Sequence, residues 1–519
     1  MLFNFLILAI ICAASLCLMG SFTIYSSNLT LNGSCWEPLV QIDYINVSVW
    51  LMLIICFGYV YFYTSHYFGG DSVGFELNKL INLFVLVMAT LVATGDFLTT
   101  LVFWEYLGVV SFFLILFYSN YLSLRSSVVT LVSSRFGDVC LFILIGLNVY
   151  SSISPLVSLM LIFFIIMTKS AGFPFISWLL EAMRAPTPVS SLVHSSTLVA
   201  AGVWFSMRYD MFLLFNNSLI FLVTLLSTIL ITGLCCFYFL DLKKIVALST
   251  CNNISWCLFY LICGDVTLSL FQLITHGVSK CMLFMLVGDV MSGTGGSQAS
   301  NCMYMPSLYG NWGVFSLSSL VLGLSGAPFI GVFFTKHFLL TNFNLCENWI
   351  LTGVTFGCVF LSYFYSFRLC SIFVSLQNSS TAGVYFVSGA GMLVYVWLLV
   401  NYYIANTLDE VTSVGNFSSA LLLLFQLISC LTAYFLFDSN TISNWSSSIF
   451  GCDNLVETFY SLYSCITRAV SLFFFRWDNY TLGLFNNNGE SVLNAFNSVL
   501  LNAVMISLII FLMCCYILL

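Results

Sequence analysis

The sequence has 519 residues, of which 61% are hydrophobic and only 6% are charged. In soluble domains roughly a quarter of the residues are charged, so this composition excludes a soluble enzyme and a disordered chain. The net charge of −7, from 13 basic and 20 acidic residues, is too sparse for a nucleic-acid-binding surface. The apolar runs are continuous rather than alternating, which predicts an all-α polytopic membrane protein and not a β-barrel.

The apolar runs also predict where helices cross the membrane. A spanning helix needs about 20 apolar residues, and the chain offers about fourteen to sixteen such segments. The run at 309–342 is long enough for two shorter helices. The predicted spans are 2–24, 44–67, 79–98, 99–119, 125–149, 154–174, 187–206, 212–238, 242–262, 265–290, 309–342, 348–376, 383–405, 416–438 and 497–519.

The segment before the last span has a different pattern. Over 455–475, apolar residues recur at three- and four-residue steps with polar residues between them. This pattern predicts an amphipathic helix that lies along the membrane or along partner subunits instead of crossing the bilayer. Its apolar stripe consists of Leu455, Phe459, Leu462, Ile466, Val470 and Phe473.

Two helices are predicted to be broken inside the membrane. The segment Gly172-Phe-Pro174-Phe-Ile recurs as Gly326-Ala-Pro328-Phe-Ile, at an offset of 154. Paired apolar segments that are interrupted by Gly and Pro are typical of transporters with internal repeats. Their broken helices bring polar groups to the middle of the membrane.

Glu105 and Lys169 are charges in the apolar interior of predicted spans. A charge there costs roughly 2.5–3.5 kcal/mol on insertion scales, so a functional group facing the protein interior is the default interpretation. Burial disfavours a charged lysine and a nearby carboxylate favours it, so a Glu105–Lys169 pair could change protonation when either partner moves. A hydrogen-bonded structural glutamate and a static ion pair are the alternatives.

Further titratable residues lie near the breaks. Arg135 and Asp138 stand at i and i+3 and can form an ion pair, which is either structural or functional. His194 follows a Pro-rich stretch among hydroxyl residues, which favours a proton relay over a core histidine. His276 and Lys280 share one helix face, and Lys336 follows the second break. Such groups, with waters between them, can conduct protons. Metal binding by His276 and Lys280 is the less favoured interpretation, because one of the two side chains is a charged lysine.

Other residues receive structural interpretations. Asp241, Lys243 and Lys244 stand at a predicted helix start and are assigned to the membrane interface. Most of the 20 Cys lie within apolar runs, as at Cys235-Cys236, and we expect them to pack as small hydrophobic residues and not as metal ligands. Motifs for phosphate, haem or nucleophilic chemistry are not visible, so no redox centre is predicted on this chain.

These residues stand in motifs that resemble the antiporter-like, proton-pumping subunits of mitochondrial respiratory complex I, the NADH:ubiquinone oxidoreductase, in particular its distal member with a lateral helix. The most specific stretch runs from Lys169-Ser-Ala to Pro186-Thr-Pro-Val-Ser-Ser-Leu-Val-His194. The resemblance covers residues near 100 to 340. Its other motifs are Trp104-Glu105, Ser134-Arg135-Phe-Gly-Asp138, Asp241-Leu-Lys-Lys, Thr275-His276-Gly-Val-Ser-Lys280 and Gly326-Ala-Pro-Phe followed by Lys336.

The resemblance implies that the chain is a core membrane-arm subunit that translocates protons, driven by electron transfer from NADH to ubiquinone in other subunits. Glu105 and Lys169 would form the coupled pair of a first half-channel, supported by the Arg135–Asp138 ion pair.

The resemblance also implies a central axis and an exit. His194 and His276 would lie on this axis with Lys280, and Lys336 would be the lysine at the exit of a second half-channel. Gln272 stands where the family commonly has His, so a water could replace one relay station. His337 stands where an acid is common, which puts the exit carboxylate in doubt.

The implied fold has two inverted five-helix repeats with broken helices. It divides the chain into N-terminal transmembrane helices (1–78), a first antiporter-like repeat (79–238), a second repeat with the following helices (239–438), the lateral amphipathic segment (439–496) and a C-terminal anchor helix (497–519).

The implied setting is the mitochondrial inner membrane. Partners would be other complex I membrane subunits, especially the chain 4-like antiporter subunit, together with the lipid bilayer, and no nucleic acid. NAD, FMN, iron–sulfur clusters and ubiquinone would be bound by partner subunits and none by this chain.

Three other functions stay open from the sequence. The large subunit of a stand-alone cation/proton antiporter shares Glu105, Lys169 and the Pro-rich stretch. A purely scaffolding subunit is a second alternative. A glycosylated channel or receptor of the secretory pathway is the third, suggested by Asn-x-Ser/Thr sequons at Asn28, Asn46, Asn444 and Asn479.

Overall fold

In the computed structural model, helices make up most of the described residues, which confirms the predicted all-α polytopic class. The structure describes residues 21–25, 29–31, 34–36, 38–150, 155–212, 219–306, 310–328, 330–343, 349–379, 387–406, 416–437, 452–483 and 498–518.

The helices follow one another with short connections. A π-helical turn, Val193–Thr197, joins α7 to α8. In chain order the helices are α1 Tyr44–Tyr67, α2 Ser72–Ala93, α3 Phe97–Ile115, α4 Tyr121–Tyr150, α5 Pro155–Lys169, α6 Ser177–Ala182, α7 Thr187–Leu192, α8 Leu198–Arg208, α9 Leu219–Tyr238, α10 Leu242–Ile262, α11 Val266–Gly293, α12 Gly310–Ser325, α13 Phe333–Phe343, α14 Trp349–Ser375, α15 Val387–Asn406, α16 Asn416–Phe437, α17 Cys452–Gly483 and α18 Ser498–Leu518.

Ten helices among the described residues are long and apolar enough to cross a membrane, and three shorter apolar stretches accompany them. The apolar run at 309–342 forms two helices, α12 and α13, as its length allowed. Most of the predicted span 2–24 lies outside the described residues. Its end does not form a helix, because Phe22–Tyr25 is a strand.

Short strands occupy the stretch before α1. β1 (Phe22–Tyr25) pairs antiparallel with β4 (Leu39–Ile42), and β2 (Leu29–Leu31) pairs antiparallel with β3 (Ser34–Trp36). A parallel bridge joins β5 (Met305–Pro306) to β6 (Asn378–Ser379). These ladders satisfy backbone groups that no helix would satisfy.

The helices differ strongly in burial. The stretch Thr187–Arg208 is 100% buried over its most apolar window, and α10 and α11 are 94% and 89% buried. In the other spans only 22–56% of the residues in that window are buried, and the large exposed apolar side chains on these helices suit lipid. Only helices screened from lipid can carry many polar groups at membrane depth. Two of these three stretches carry His194, His276 and Lys280, and the third, α10, carries Ser249, whose hydroxyl accepts a hydrogen bond from Lys280.

The chain divides into two units, Met1–Ser446 and Ser447–Leu519. In the second unit, α17 is a continuous helix across the predicted amphipathic segment 455–475, and α18 is an apolar helix at the place of the predicted terminal span. The described members of the α17 stripe, such as Phe459, Leu462 and Phe473, are exposed.

Candidate functional site

Lys169 is the last residue of α5 and its side chain is fully buried. Its Nζ lies 3.6 Å from Oδ1 of Asp138 on α4 and 5.1 Å from the centroid of the Trp104 ring on α3. The 3.6 Å separation is an ion pair without a hydrogen bond. Lys169 therefore has a carboxylate on one side and an aromatic face on the other.

Glu105 and Lys169 are linked through two further charged residues instead of directly. Arg135 Nη1 forms an ion pair with Glu105 Oε2 and lies 3.7 Å from Oδ2 of Asp138. The i, i+3 spacing turns Arg135 and Asp138 toward the same side of α4, so Arg135 reaches α3 while Asp138 reaches α5. The result is a charge series in the order Glu105, Arg135, Asp138, Lys169.

The sequence suggested a buried Glu105, but its side chain is 37% exposed, as is that of Arg135. Its neighbour Trp104 is fully buried, because successive residues of a helix point in different directions. The outer end of the charge series thus reaches the surface of this chain, whereas Asp138 and Lys169 are buried.

The break after Lys169 has a defined backbone. Gly172 N–H donates to the carbonyl of Met167 at 2.9 Å, and Ala171 between them has a left-handed φ of 55°. This is the pattern of a Schellman helix end. Cys251 Sγ on α10 lies 3.0 Å from the Ala171 carbonyl oxygen, and its thiol donates to that oxygen. The Lys169 ammonium therefore lies at the C-terminal end of α5, where the helix dipole favours a cation.

His194 lies in the π-helical turn between α7 and α8 and is fully buried. Its ring centroid is 6.3 Å from that of Trp178, whose indole N–H donates to the carbonyl of Thr168 at 3.0 Å. Lys169, Trp178 and His194 all line one cavity of about 10 Å³. This volume matches about one water-sized sphere.

His276 and Lys280 lie one turn apart on α11 and are both buried, and we call the region around this pair the centre. Lys280 Nζ donates to the hydroxyl of Ser249 and, at 3.4 Å, to the carbonyl of Val246, both on α10. The described residues include no carboxylate within 4 Å of Lys280. Among the described residues, its ammonium is held by neutral oxygens.

Lys336 on α13 is buried and reaches back to the end of α12. Its Nζ donates to the carbonyl of Ser325 and to Ser362 Oγ at 2.6 Å, and it lies 4.5 Å from the centroid of Tyr363. As at Lys280, no ion pair to Lys336 occurs in the part of the chain that the structure describes. The adjacent His337 is also buried, with its ring 5.5 Å from that of Phe333.

Gln272 connects the centre to this second break. Its Oε1 accepts a hydrogen bond of 2.8 Å from the hydroxyl of Thr335, the residue before Lys336. The amide therefore lies between α11 and α13, on the side of α11 that leads from His276 toward Lys336. Gln272, for which the resemblance implies a His, therefore still provides a hydrogen-bonded polar side chain at this position.

Sequence reasoning placed Lys243 at the interface with Asp241 and Lys244, and here the structure differs. Lys244 forms a half-exposed ion pair of 2.9 Å with Asp241, but Lys243 is buried and donates to the carbonyl of Ala185 at 3.4 Å. The group that Lys243 contacts belongs to a distant part of the chain, so the local sequence did not indicate that its side chain turns inward.

Two more buried charges were missed. Arg368 on α14 donates to the carbonyls of Cys236 and Phe239, each at 3.0 Å. Asp289 lies near the end of α11 and is 1% exposed. A charged residue inside an apolar run was the available signal for both.

The sequon at Asn46 does not present an acceptor for a glycan. Asn46 is fully buried on α1; its amide donates to the Gln41 carbonyl, and its Oδ1 accepts from the Trp204 indole at 3.5 Å. Glycosylation needs an exposed asparagine. The sequons at Asn28 and Asn444 lie outside the described residues.

Comparison with known proteins identifies the family. The model of the NADH:quinone oxidoreductase/Mrp antiporter transmembrane family matches residues 94–362. NADH-ubiquinone oxidoreductase chain 5 of Locusta migratoria is 33% identical over 381 residues, 67% of this chain and 64% of the relative. The chain 5 proteins of Artemia franciscana and Caenorhabditis elegans are each 34% identical, over 66% and 65% of this chain and 67% of their own lengths.

Solved structures share the fold. A subunit in the Mrp complex of a Dietzia species superposes with a TM-score of 0.70 at 19% identity, over 90% of this chain and 56% of that one. A chain of the archaeal membrane-bound sulfane sulfur reductase superposes with a TM-score of 0.63 at 16% identity, over 86% and 92%. The match spans somewhat under two thirds of the locust relative. The family match covers more than half of the sequence, and this chain therefore belongs to the NADH:quinone oxidoreductase/Mrp antiporter family of membrane proteins.

Proposed function

We propose that this chain is a proton-translocating membrane subunit of a respiratory NADH:ubiquinone oxidoreductase, placed in the mitochondrial inner membrane. One observation carries the proposal: buried ammonium and imidazole groups occur at both helix breaks and at the centre between them. These groups are Lys169, His194, His276, Lys280 and Lys336. Placing so many titratable groups inside a membrane protein is costly, which favours a role in moving charge.

The charge series offers a way to change the protonation state of Lys169. A displacement of Arg135 toward Glu105 or toward Asp138 changes the field that Asp138 exerts on Lys169. When that field weakens, the Lys169 ammonium loses its only carboxylate partner among the described residues and can release its proton toward His194. The Lys280 and Lys336 ammoniums rest on neutral oxygens, so they can give up a proton without leaving an unpaired carboxylate.

The relatives support the oxidoreductase over a stand-alone antiporter. The curated relatives at about a third identity carry the oxidoreductase name, whereas the similarity to the Mrp complex is one of fold. In this proposal the chain holds no redox centre, and NAD, FMN, iron–sulfur clusters and ubiquinone belong to partner subunits. A chain 4-like antiporter subunit is its proposed neighbour.

The assembly is tested by native-gel separation of membranes in mild detergent, followed by mass spectrometry of each slice. We expect this chain to migrate with the flavin- and iron–sulfur-bearing subunits. Migration alone, or with small membrane subunits only, would overturn the oxidoreductase assignment and favour the antiporter. Cation-dependent proton flux would then be the activity to measure.

The proton-carrying role is tested by Lys169→Ala and Lys336→Ala in the assembled complex. Because each removes a positioned proton-transfer group, we expect proton pumping per NADH oxidised to fall roughly a hundredfold. Electron transfer from NADH to an artificial acceptor should be unchanged. Lys79→Ala is the matched control, since Lys79 forms an exposed ion pair with Glu76. If both variants pump protons like wild type, the chain is a scaffolding subunit and not a proton carrier.

A further inference from the structure

One face of α4 carries a row of buried hydroxyl groups. Ser123, Ser126, Ser127, Thr130 and Ser134 are each at most 8% exposed, and they recur at three- and four-residue steps. This spacing keeps them on one side of the helix, and the next position on that side is Asp138. We call these five residues the hydroxyl stripe. The other faces of α4 carry exposed apolar side chains such as Val128, Val132 and Phe136.

The hydroxyl stripe does not fasten α4 to its neighbours. The hydroxyls of Ser126, Ser127 and Thr130 each donate to the carbonyl three residues earlier in α4, at 2.8 Å. Ser134 does the same at 2.9 Å, and Ser123 donates to the Asn120 carbonyl at 2.7 Å. Each donor is thus satisfied locally. A hydroxyl oxygen can also accept two hydrogen bonds, of which Ser123 already accepts one from the Asn120 N–H at 2.9 Å. Packing alone does not require hydroxyls here, because Ala and Val have similar volumes.

The inner end of the stripe opens on the Lys169–His194 cavity. Thr130 and Ser134 line this cavity together with Ser111 of α3 and Thr168 of α5. The outer end lies at the first turn of α4, where Tyr121 and Leu122 are exposed. From Ser123 to Asp138 the stripe rises by about 22 Å at 1.5 Å per residue, which is most of the apolar thickness of a bilayer.

We propose that the hydroxyl stripe is the proton uptake route from the membrane surface to the Asp138–Lys169 pair. The inference rests on the proposed proton-translocating function. Hydroxyls one helical turn apart are about 5–6 Å from each other, too far for a direct hydrogen bond of about 2.8 Å. The route therefore needs water molecules, which bridge successive hydroxyls and continue into the cavity.

The transfer balances without a redox step. A proton enters at the surface end, each water or hydroxyl accepts one proton and passes another on, and the last one protonates Asp138 or the Lys169 amine. Lys169 regains in this way the proton that it releases toward His194. The stripe returns to its starting state once its hydroxyls and waters have rotated back.

The test uses Thr130→Val with Ser134→Ala in the assembled complex. This double variant removes two hydroxyls beside the cavity at nearly constant volume. We expect the initial rate of NADH-driven proton pumping in proteoliposomes to fall roughly two- to tenfold, the factor for one lost hydrogen bond in the rate-limiting step. Thr130→Ser should retain the wild-type rate because it keeps the hydroxyl. Ser133→Ala, which removes a hydroxyl outside the stripe, should do the same.

The outcomes separate this inference from the proposed function. If Lys169→Ala abolishes pumping while the double variant pumps like wild type, the uptake route is wrong and the function stands. Equal losses in Thr130→Ser and Ser133→Ala would mean a packing effect and would also overturn the route. If Lys169→Ala and Lys336→Ala both pump normally, the proposed function itself fails.

Discussion

At the scale of single residues, Lys169 and Lys336 are stabilised in the same way from different positions. Lys169 is the last residue of α5, whereas Lys336 reaches from α13 to the carbonyl of Ser325, the last residue of α12. Both ammoniums therefore lie at a helix C-terminus, where partial negative charge accumulates. Each also faces an aromatic ring, Trp104 in one case and Tyr363 in the other.

Tyr363 should matter through its ring and not through its hydroxyl. A desolvated cation–π contact is worth up to about 2 kcal/mol, and Lys336 has no carboxylate partner among the described residues to compensate for its loss. We expect Tyr363→Leu to lower proton pumping by roughly tenfold, while Tyr363→Phe pumps like wild type. Pumping per NADH oxidised in the assembled complex is the measurement. A loss in Tyr363→Phe would instead identify the hydroxyl as the active group.

At the scale of elements, α4 and α5 approach closely beside the Asp138–Lys169 pair. Gly137 permits this contact, because a Cβ built there would overlap the Thr168 side chain and lie 3.5 Å from the Phe164 carbonyl oxygen. Gly146 on the same helix meets nothing within 4 Å. The two glycines are thus a matched pair, one at a close approach and one in open space.

Gly137→Ala should separate α4 from α5 and lengthen the Asp138–Lys169 distance. Overpacking of this kind typically costs about 1–3 kcal/mol. We expect lower thermal stability of the purified complex and slower pumping, whereas Gly146→Ala should change neither. The check is a melting curve beside a pumping assay for both variants. Equal behaviour of the two alanine variants would show that the close approach is unimportant.

The sequence predicted the elements better than the contacts between them. Long apolar runs marked the helices, and the Gly-Pro segments marked the places where the chain departs from a helix next to Lys169 and before Lys336. Those signals are local. The position of Arg135 between Glu105 and Asp138 depends on how α3, α4 and α5 are rotated against one another, which tertiary packing decides.

Lys243 is a second residue whose position depends on tertiary packing and not on the local sequence. A lysine at a helix start usually extends to the interface, and Lys244 does so. Lys243 turns inward because the first turn of α10 is covered by the segment around Ala185. That cover comes from a part of the chain 58 residues earlier, so no local pattern specifies it.

At the scale of the whole molecule, the helices before and after the centre are joined by a buried arginine. Arg368 of α14 spans to the C-terminal end of α9, where its guanidinium donates to the carbonyls of Cys236 and Phe239. Helix ends leave such carbonyls without intrahelical partners. The planar fork of Arg can serve both at once, and the negative end of the helix dipole adds to the attraction.

Arg368→Leu should therefore destabilise the chain without altering the lysines that we propose to carry protons. It leaves two buried carbonyls at the end of α9 without a donor, at about 1–3 kcal/mol each. We expect a lower melting temperature of the purified complex, with a smaller decrease in Arg368→Lys, whose single ammonium cannot bridge both oxygens. Lys79→Gln, at an exposed ion pair with Glu76, should melt like wild type. Complex that survives purification should still pump protons at the wild-type rate. A pumping defect at unchanged melting temperature would place Arg368 in the proton path instead of in the frame that holds it.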